Sequence, residues 1–123
     1  MFEDKRSKRV LLVAHCVLNQ NAKIDRCAHY LGAIKEIAQT LLDSGVGIVQ
    51  MPCPELAHLG LDRQVDQEAI VTIESEDTRV ALRMRENQGK AICREIVDDL
   101  VYQIEEYRDY CDQASRVIGL RKG

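Results

Sequence analysis

A short apolar run near the amino terminus constrains the fold more than any other feature of the chain. Residues 9–14 (RVLLVA) are mostly Val, Leu and Ala, and they follow directly on charged residues. Such a run is typical of a strand buried on both faces, as in parallel sheets that are covered by helices. The chain has one Phe, four Tyr and no Trp, so we expect an aliphatic core.

Apolar spacing and the placement of Gly and Pro predict the remaining elements. Apolar residues repeating every three to four positions indicate helices, and short Val- and Ile-rich runs indicate strands. The order is a loop at 17–26, a helix at 30–42, a strand at 47–51, a loop with up to one helical turn at 55–67, an ambiguous segment at 69–74, an exposed helix at 74–85, a long amphipathic helix at 89–110 and a strand at 114–120.

Strands that alternate with helices predict an α/β fold in which a small parallel sheet is flanked by helices, with right-handed crossovers. A chain of 123 residues fits one domain, residues 1–123, whose residues 1–8 form a charged tail. We interpret the basic run at 5–9 as a solvated part of that tail rather than a binding arm.

The net charge and the number of cysteines limit the classes of function that this chain can have. The net charge of −3 argues against a surface for a nucleic acid polymer. No apolar run reaches the ~20 residues of a membrane span, and the charged start does not fit a secretory signal, so we expect a cytoplasmic protein. Five cysteines in a reducing compartment are more typical of free thiols, metal ligands or catalytic groups than of disulfides.

Two cysteines follow the first two predicted strands. Cys16 comes just after the first strand, and Cys53 comes just after the second, between two prolines. The carboxyl ends of parallel strands meet over one crevice, and neighbouring strands lie ~5 Å apart, so the two sulfurs could share a metal or cluster. Thiolates select zinc, copper(I) or iron–sulfur groups. Free cysteine also often fills core space, and the residues alone leave both interpretations open.

Polar residues near these strand ends are further candidates. Glu55 could act as a general base, or it could cap the turn that follows. Asn19, Gln20 and Asn21 could hold a polar heterocycle, or they could satisfy backbone groups of their loop. Arg63 could pair with Glu55 or bind an anion.

The other cysteines and the first histidine are interpreted as structural. These are His15, Cys27, Cys93 and Cys111, of which Cys27 lies nearest the predicted crevice. The sequence contains no GxGxxG, no Walker A motif and no CxxC, so a dinucleotide or P-loop site is not supported.

The segments HCVLNQN (15–21), CPEL (53–56) and LGL (59–61) resemble the DUF523 family and its thiouracil desulfurase relatives, in particular a shorter TudS-related desulfidase branch. The similarity extends from residue 10 to residue 123. It implies a Rossmann-like three-layer α/β domain with a [4Fe–4S] cluster on three cysteines, two of which would be Cys16 and Cys53. It also implies Glu55 as the proton-transfer residue and a reaction in which water replaces the sulfur of a thiolated nucleobase.

Two features depart from the family pattern. The family's third ligand lies in a Ser-Pro-Ser-Cys-Gly-like motif after the third strand, where this sequence ends in LRKG. We therefore expect that the carboxyl-terminal part of the family domain is missing, and that this chain holds no intact cluster and has little activity. Cys111 precedes the third strand and is a poor substitute. The family often has a further cysteine where this chain has Ala22.

Three functions follow from these residues. The first is an iron–sulfur-dependent desulfidase for a small thiolated compound, with Asn19, Gln20, Asn21 and Arg63 as substrate contacts. The second is a non-catalytic α/β module that binds a metal or a small ligand. The third is a plain α/β domain with buried thiols. A sheet this small could also pair its edge with that of a second copy to form a homodimer.

Overall fold

The fold is taken from a computed structural model, which describes residues 2–65, 72–111 and 116–118. In chain order the elements are β1 (Val10–Ala14), α1 (His15–Leu18), a short 3-10 helix (Gln20–Ala22), α2 (Lys35–Asp43), β2 (Gly47–Met51), α3 (Pro54–Leu59), α4 (Ile73–Met84), α5 (Asn87–Tyr110) and β3 (Arg116–Ile118).

The described strands form a parallel sheet in the order β2-β1-β3, so β1 is central. The β1–β2 register runs from Val10 opposite Gly47 to Ala14 opposite Met51. Leu12 and Val13 point to opposite faces of β1, and both are almost fully buried. The prediction of an α/β fold with a small parallel sheet and helices is therefore confirmed.

The core on one side of the sheet is aliphatic, as predicted from the scarcity of aromatic residues. Val13 of β1, Val17 of α1 and Leu41 of α2 form its buried centre. The partly buried side chains around them are Leu11, Ala14, Leu18, Ile34, Ile37, Val46 and Ile48. Helices α3, α4 and α5 contact one another, which places α4 and α5 beside the short helix that follows β2.

The second strand and the long helix agree closely with the prediction, since β2 spans Gly47–Met51 and α5 spans Asn87–Tyr110. The helix predicted at 74–85 is present as α4, but the prediction that it is exposed is wrong for one face, because Val80 is buried. A capping box between Thr72 and Ser75 begins this helix. Residues 69–71 of the ambiguous segment lie outside the described residues.

Helix α2 begins five residues later than the spacing of apolar residues predicts. The carbonyl of Gly32 accepts a hydrogen bond from the Gln20 backbone (2.7 Å), and the Ile34 N–H donates to the carbonyl of Val17 (2.8 Å). These backbone groups bind the first loop and are not available for a helical turn. Leu31, which the spacing assigns to the apolar stripe, is fully exposed.

The segment predicted as a loop at 55–67 begins with α3. Pro54 occupies its first turn, where a missing N–H costs nothing, and Gly60 ends it at a φ of 83°. The third strand is described only at Arg116–Ile118. The rest of the predicted strand, and residues 120–123 where the third cysteine motif was expected, lie outside the described residues.

The amino-terminal tail is exposed at residues 3–7, as expected of a solvated segment. Phe2 is the exception, because its ring is half-buried and lies 6.2 Å from the ring of Tyr110. Arg6 stacks on Phe2 and pairs with Asp4, whose pKa is lowered by that hydrogen bond. Among the described helices, none is long and apolar enough to cross a membrane.

Candidate functional site

The two strand-end cysteines lie at neighbouring positions of the sheet. Ala14 and Met51 are the last pair in the β1–β2 register, and Cys16 and Cys53 each follow two residues later. Cys16 belongs to α1 and Cys53 is the N-cap of α3. Both line one cavity of about 510 Å³, as the crevice at the carboxyl ends of parallel strands predicts.

A third cysteine lines the same cavity. Cys27 lies in the loop that leaves α1, and its N–H donates to the carbonyl of Ile24 in a turn (3.1 Å). All three thiols are half-buried, as are Cys93 and Cys111, so it is their place in the cavity that distinguishes them. The sequence analysis interpreted Cys27 as structural, although it placed Cys27 nearest the predicted crevice, and the structure brings it to the lining of the cavity.

One face of α4 forms the opposite side of this cavity. Residues of α4 spaced by three, four and seven positions share a helix face, and four such residues line the cavity. We call them the α4 wall: Asp77, Val80, Ala81 and Met84. Most residues at 74–85 are charged, so the sequence did not predict the wall. The spacing of Val80, Ala81 and Met84 is nevertheless that of one helix face.

Cys53 is held by the local structure of its own segment. Its Sγ accepts a hydrogen bond from the Leu56 backbone N–H (3.5 Å), and its carbonyl accepts one from Ala57 (3.0 Å). Pro52 and Pro54 fix the φ angle on either side of the cysteine. Hydrogen bonds from backbone N–H groups to sulfur are among the contacts that tune iron–sulfur centres.

Glu55 and Arg63 form an ion pair in the cavity, which is one of the alternatives that the sequence left open. The Nε of Arg63 lies 3.4 Å from Oε2 of Glu55. The Arg63 side chain is 2% exposed, whereas that of Glu55 is 43% exposed. Arg63 also donates to the carbonyls of Ala22 (2.7 Å), Gly60 (2.9 Å) and Leu61 (3.2 Å). Four acceptors thus surround the five N–H donors of this guanidinium.

The polar residues at 19–21 are not among the residues that line the cavity. Asn19 accepts a hydrogen bond from the N–H of Asn21 (3.1 Å). Gln20 is buried, donates to the carbonyl of Cys16 (2.8 Å) and accepts from the N–H of His29 (3.1 Å). These amides satisfy backbone groups of the loop, and substrate contacts by residues 19–21 stay a prediction.

The remaining residues interpreted as structural lie away from the cavity. The carbonyl of His15 accepts a hydrogen bond from the Gln50 side chain (2.9 Å), which links α1 to β2. Cys93 lies on α5 and Cys111 is its C-cap. Cys111 lines a second cavity of about 620 Å³ at the amino ends of β1 and β2. Because ligands of α/β sheets bind at the carboxyl ends, we take the first cavity as the candidate site.

The donor set of the first cavity can be tested against the metals that thiolates bind. Within residues 2–65 and 72–111, no group of three or more His, Cys, Asp or Glu side chains is arranged to hold a single metal ion. Zinc needs its sulfurs about 4 Å apart, since each Zn–S bond is ~2.3 Å. A four-iron cluster binds its cysteines through separate irons, so it accepts more widely spaced sulfurs. Thiols that line one cavity without converging on a single point are compatible with such a cluster.

Comparison with known proteins gives one informative similarity. Over 103 residues, or 84% of the chain, the sequence is 31% identical to the uncharacterized protein MJ0003 of Methanocaldococcus jannaschii. The chain spans 58% of the length of that relative. No protein-family model matches the sequence, and no solved structure matches it significantly.

Proposed function

We propose that this chain is part of an iron–sulfur-dependent desulfidase of the DUF523 and TudS-related kind, acting on a small thiolated compound such as a thionucleobase. The observation that carries the proposal is the shared cavity of Cys16, Cys53 and Glu55 at the carboxyl ends of β1 and β2. Cys16 and Cys53 are two of its three cluster ligands, and Cys27, which lines the same cavity, is the candidate for the third. A bound [4Fe–4S] cluster with one iron free of protein ligands would supply a Lewis acid for the substrate sulfur.

The reaction replaces a C=S bond by a C=O bond, with water as the oxygen donor and hydrogen sulfide as the product. It consumes no oxidant or reductant, so the protein has only to move protons and hold the substrate. Glu55 is the proton acceptor of the cavity. Because Oε2 of Glu55 accepts a hydrogen bond from Arg63, we assign proton transfer to the other oxygen, Oε1.

The lining of the cavity suits a flat heterocycle. Val80, Ala81 and Met84 of the α4 wall offer apolar contact for the face of a ring. Lys23 and Glu55 offer a donor and an acceptor at its edge. Packing of the ring against the apolar side excludes bulk water from the carbon that is attacked.

The proposal also covers the cellular compartment, the type of domain and the class of ligand. We place the chain in the cytoplasm, as a Rossmann-like three-layer domain that takes a small molecule rather than a nucleic acid polymer or a membrane. The net charge of −3 and the five free cysteines support this setting. Pairing of the edge strand β2 with a second copy would give a homodimer.

Cluster binding is tested by anaerobic reconstitution with iron and sulfide, followed by alkylation that is resolved for each cysteine by mass spectrometry. The sequence alone predicts no intact cluster, but because Cys27 adds a third thiol to the cavity, we instead expect visible absorption typical of an iron–sulfur cluster and protection of Cys16, Cys27 and Cys53. Cys93 and Cys111 lie outside the cavity and serve as internal controls that stay reactive. Equal labelling of all five cysteines after reconstitution contradicts the proposal. C16S is expected to lose the absorption, and the matched variant C93S is expected to keep it.

Turnover is tested by sulfide release from thiouracil. E55Q is expected to lower kcat about 10²-fold or more while the iron content stays unchanged, as for loss of a general base. The control is E36Q, because Glu36 also lies in the first turn of a helix but does not line the cavity. An E55Q protein as active as E36Q contradicts the role of Glu55.

A second candidate is a non-catalytic module that binds a small ligand. The observation in its favour is the cavity itself, whose apolar side and polar floor suit a ligand without any metal. Binding of thiouracil to the metal-free chain by calorimetry, without sulfide release after reconstitution, would favour this candidate over the desulfidase.

A further inference from the structure

Arg63 is an unusual side chain for its surroundings. It is 2% exposed, and its charge partner Glu55 is largely open to water. Burial of a guanidinium is unfavourable unless its donors are satisfied, and here carbonyl oxygens satisfy most of them. One of these carbonyls belongs to Ala22, which precedes Arg63 by 41 residues. Arg63 therefore connects two distant segments of the cavity.

The backbone at Arg63 is also strained. Arg63 and the next residue, Gln64, have φ angles of 53° and 58°, in the left-handed region that side chains with a Cβ disfavour. Two consecutive residues in this region persist only where the surroundings fix them, and such strain is concentrated at functional sites.

A second arginine supports this turn. The guanidinium of Arg79 on α4 donates to the backbone carbonyls of both Arg63 and Gln64. The same guanidinium pairs with Glu76 one turn earlier (2.6 Å). Hydrogen bonding to Arg79 lowers the pKa of Glu76, so this carboxylate stays charged and holds Arg79 in place.

We infer that Arg63 is a positioning residue, which fixes the carboxylate of Glu55 and the loop of Ala22 relative to Cys53. Its Nε holds Oε2 of Glu55, and its Nη2 holds the Ala22 carbonyl. With its donors engaged in this way, Arg63 orients the proton-transfer group rather than contacting the substrate. The inference rests on the proposed role of Glu55, but the contacts are present without substrate or cluster.

The chemical consequence is measurable at a thiol. Glu55 and Ala22 line the same cavity as Cys53, so Arg63 restricts access to that thiol by holding both in place. R63K keeps the positive charge but loses the planar fork that holds Glu55 and Ala22 together. In the variant the carboxylate and the Ala22 loop are then free to move, and a reagent reaches Cys53 more easily.

The test is the rate of iodoacetamide labelling at each cysteine of the metal-free chain, compared among wild type, E55Q, R63K and the double variant. Because R63K releases both Glu55 and Ala22 whereas E55Q releases only the carboxylate, we expect labelling of Cys53 to rise about threefold in R63K and less in E55Q. The double variant is expected to rise no further, because both changes remove the same contact. R83K is the matched control, since Arg83 pairs with Glu86 (3.1 Å) outside the cavity.

Three results would overturn the inference: an unchanged Cys53 rate in R63K, a rise that is the same at all five cysteines, or additive effects in the double variant. If R63K does not fold, R79K tests the same turn and is expected to give a smaller rise at Cys53. Labelling needs neither cluster nor turnover, so its outcome is independent of the desulfidase proposal. In a preparation that turns over, R63K is expected to lower kcat at unchanged KM, and a raised KM instead would overturn the inference.

Discussion

Replacement of Arg63 by Met tests how much the fold depends on this guanidinium. Met retains much of the length and apolar volume of the side chain and removes every donor. The carbonyl of Ala22 loses its 2.7 Å bond, and the residue itself is only 3% exposed, so water cannot easily replace the donor. The carbonyl of Gly60 loses a 2.9 Å bond at a half-buried position.

These losses set the expected magnitude. An unpaired buried carbonyl costs about 1–3 kcal/mol, and a half-buried one costs about 1 kcal/mol. Leu61 is 63% exposed and Glu55 is 43% exposed, so water replaces the donor at both, and the ion pair itself contributes less than about 1 kcal/mol. We therefore expect R63M to lower the free energy of unfolding by about 3 kcal/mol, a large part of the ~5–15 kcal/mol that a domain has.

Urea unfolding followed by circular dichroism measures this free energy by linear extrapolation. R63M is expected to lower the urea midpoint at unchanged slope. E55Q is expected to lower the free energy of unfolding by less than about 1 kcal/mol, because the Glu55 side chain is 43% exposed. The reasoning is refuted if R63M is within about 0.5 kcal/mol of wild type, the usual range for a surface change. It is also refuted if E55Q costs as much as R63M, since the ion pair rather than the carbonyl bonds would then dominate.

Three further predictions concern the elements around the site. A Cβ at Gly89 would lie 2.6 Å from the carbonyl oxygen of Met84. This overlap costs about 1–3 kcal/mol, which exceeds the gain of about 1 kcal/mol in helix propensity from Gly to Ala. G89A is therefore expected to lower the urea midpoint. A raised midpoint would contradict this packing of α5 on α4. The hydrogen bond from Arg79 holds the pKa of Glu76 below its ordinary value of 4.5. The stabilisation by this ion pair is therefore present at neutral pH, and it is lost as the pH falls below 4.5 through the pKa of the folded state. The difference in thermal midpoint between wild type and E76Q should therefore shrink on acidification, and a constant difference would refute the pairing. Q20A frees the His29 N–H, so exchange of that amide measured by NMR is expected to rise, whereas N21A, at an exposed position of the same loop, should leave it unchanged.

The sequence predicts the parts of this fold that depend on local apolar patterning. The run at 9–14 and the segment Gly47–Met51 predict neighbouring parallel strands, and the register confirms that their ends coincide. That coincidence alone brings Cys16 and Cys53 to one cavity. The period of α5 is equally readable, because 24 residues average out local irregularities.

The parts that were missed depend on contacts between distant segments. Helix α2 begins late because Gly32 and Ile34 bind the backbone of the first loop, which no local pattern reveals. Cys27 and the α4 wall line the cavity only because the loop and α4 fold over the same strand ends. The position of Arg63 depends on a carbonyl 41 residues earlier in the chain.

The α4 wall and the support of the Glu55 carboxylate are coupled because α4 carries both the wall and Arg79. Arg79, which supports the strained turn, directly precedes Val80 of the wall, so one rigid element carries both. In the proposed reaction, a ring packed against Val80 and Met84 would contact the helix that supports the turn of Arg63, and so would act on the orientation of Glu55. Because backbone at positive φ is stable only while its supports persist, a shift of α4 disturbs the wall and the carboxylate together. Under the proposed function, binding of a ring and alignment of Glu55 would thus depend on one packing arrangement.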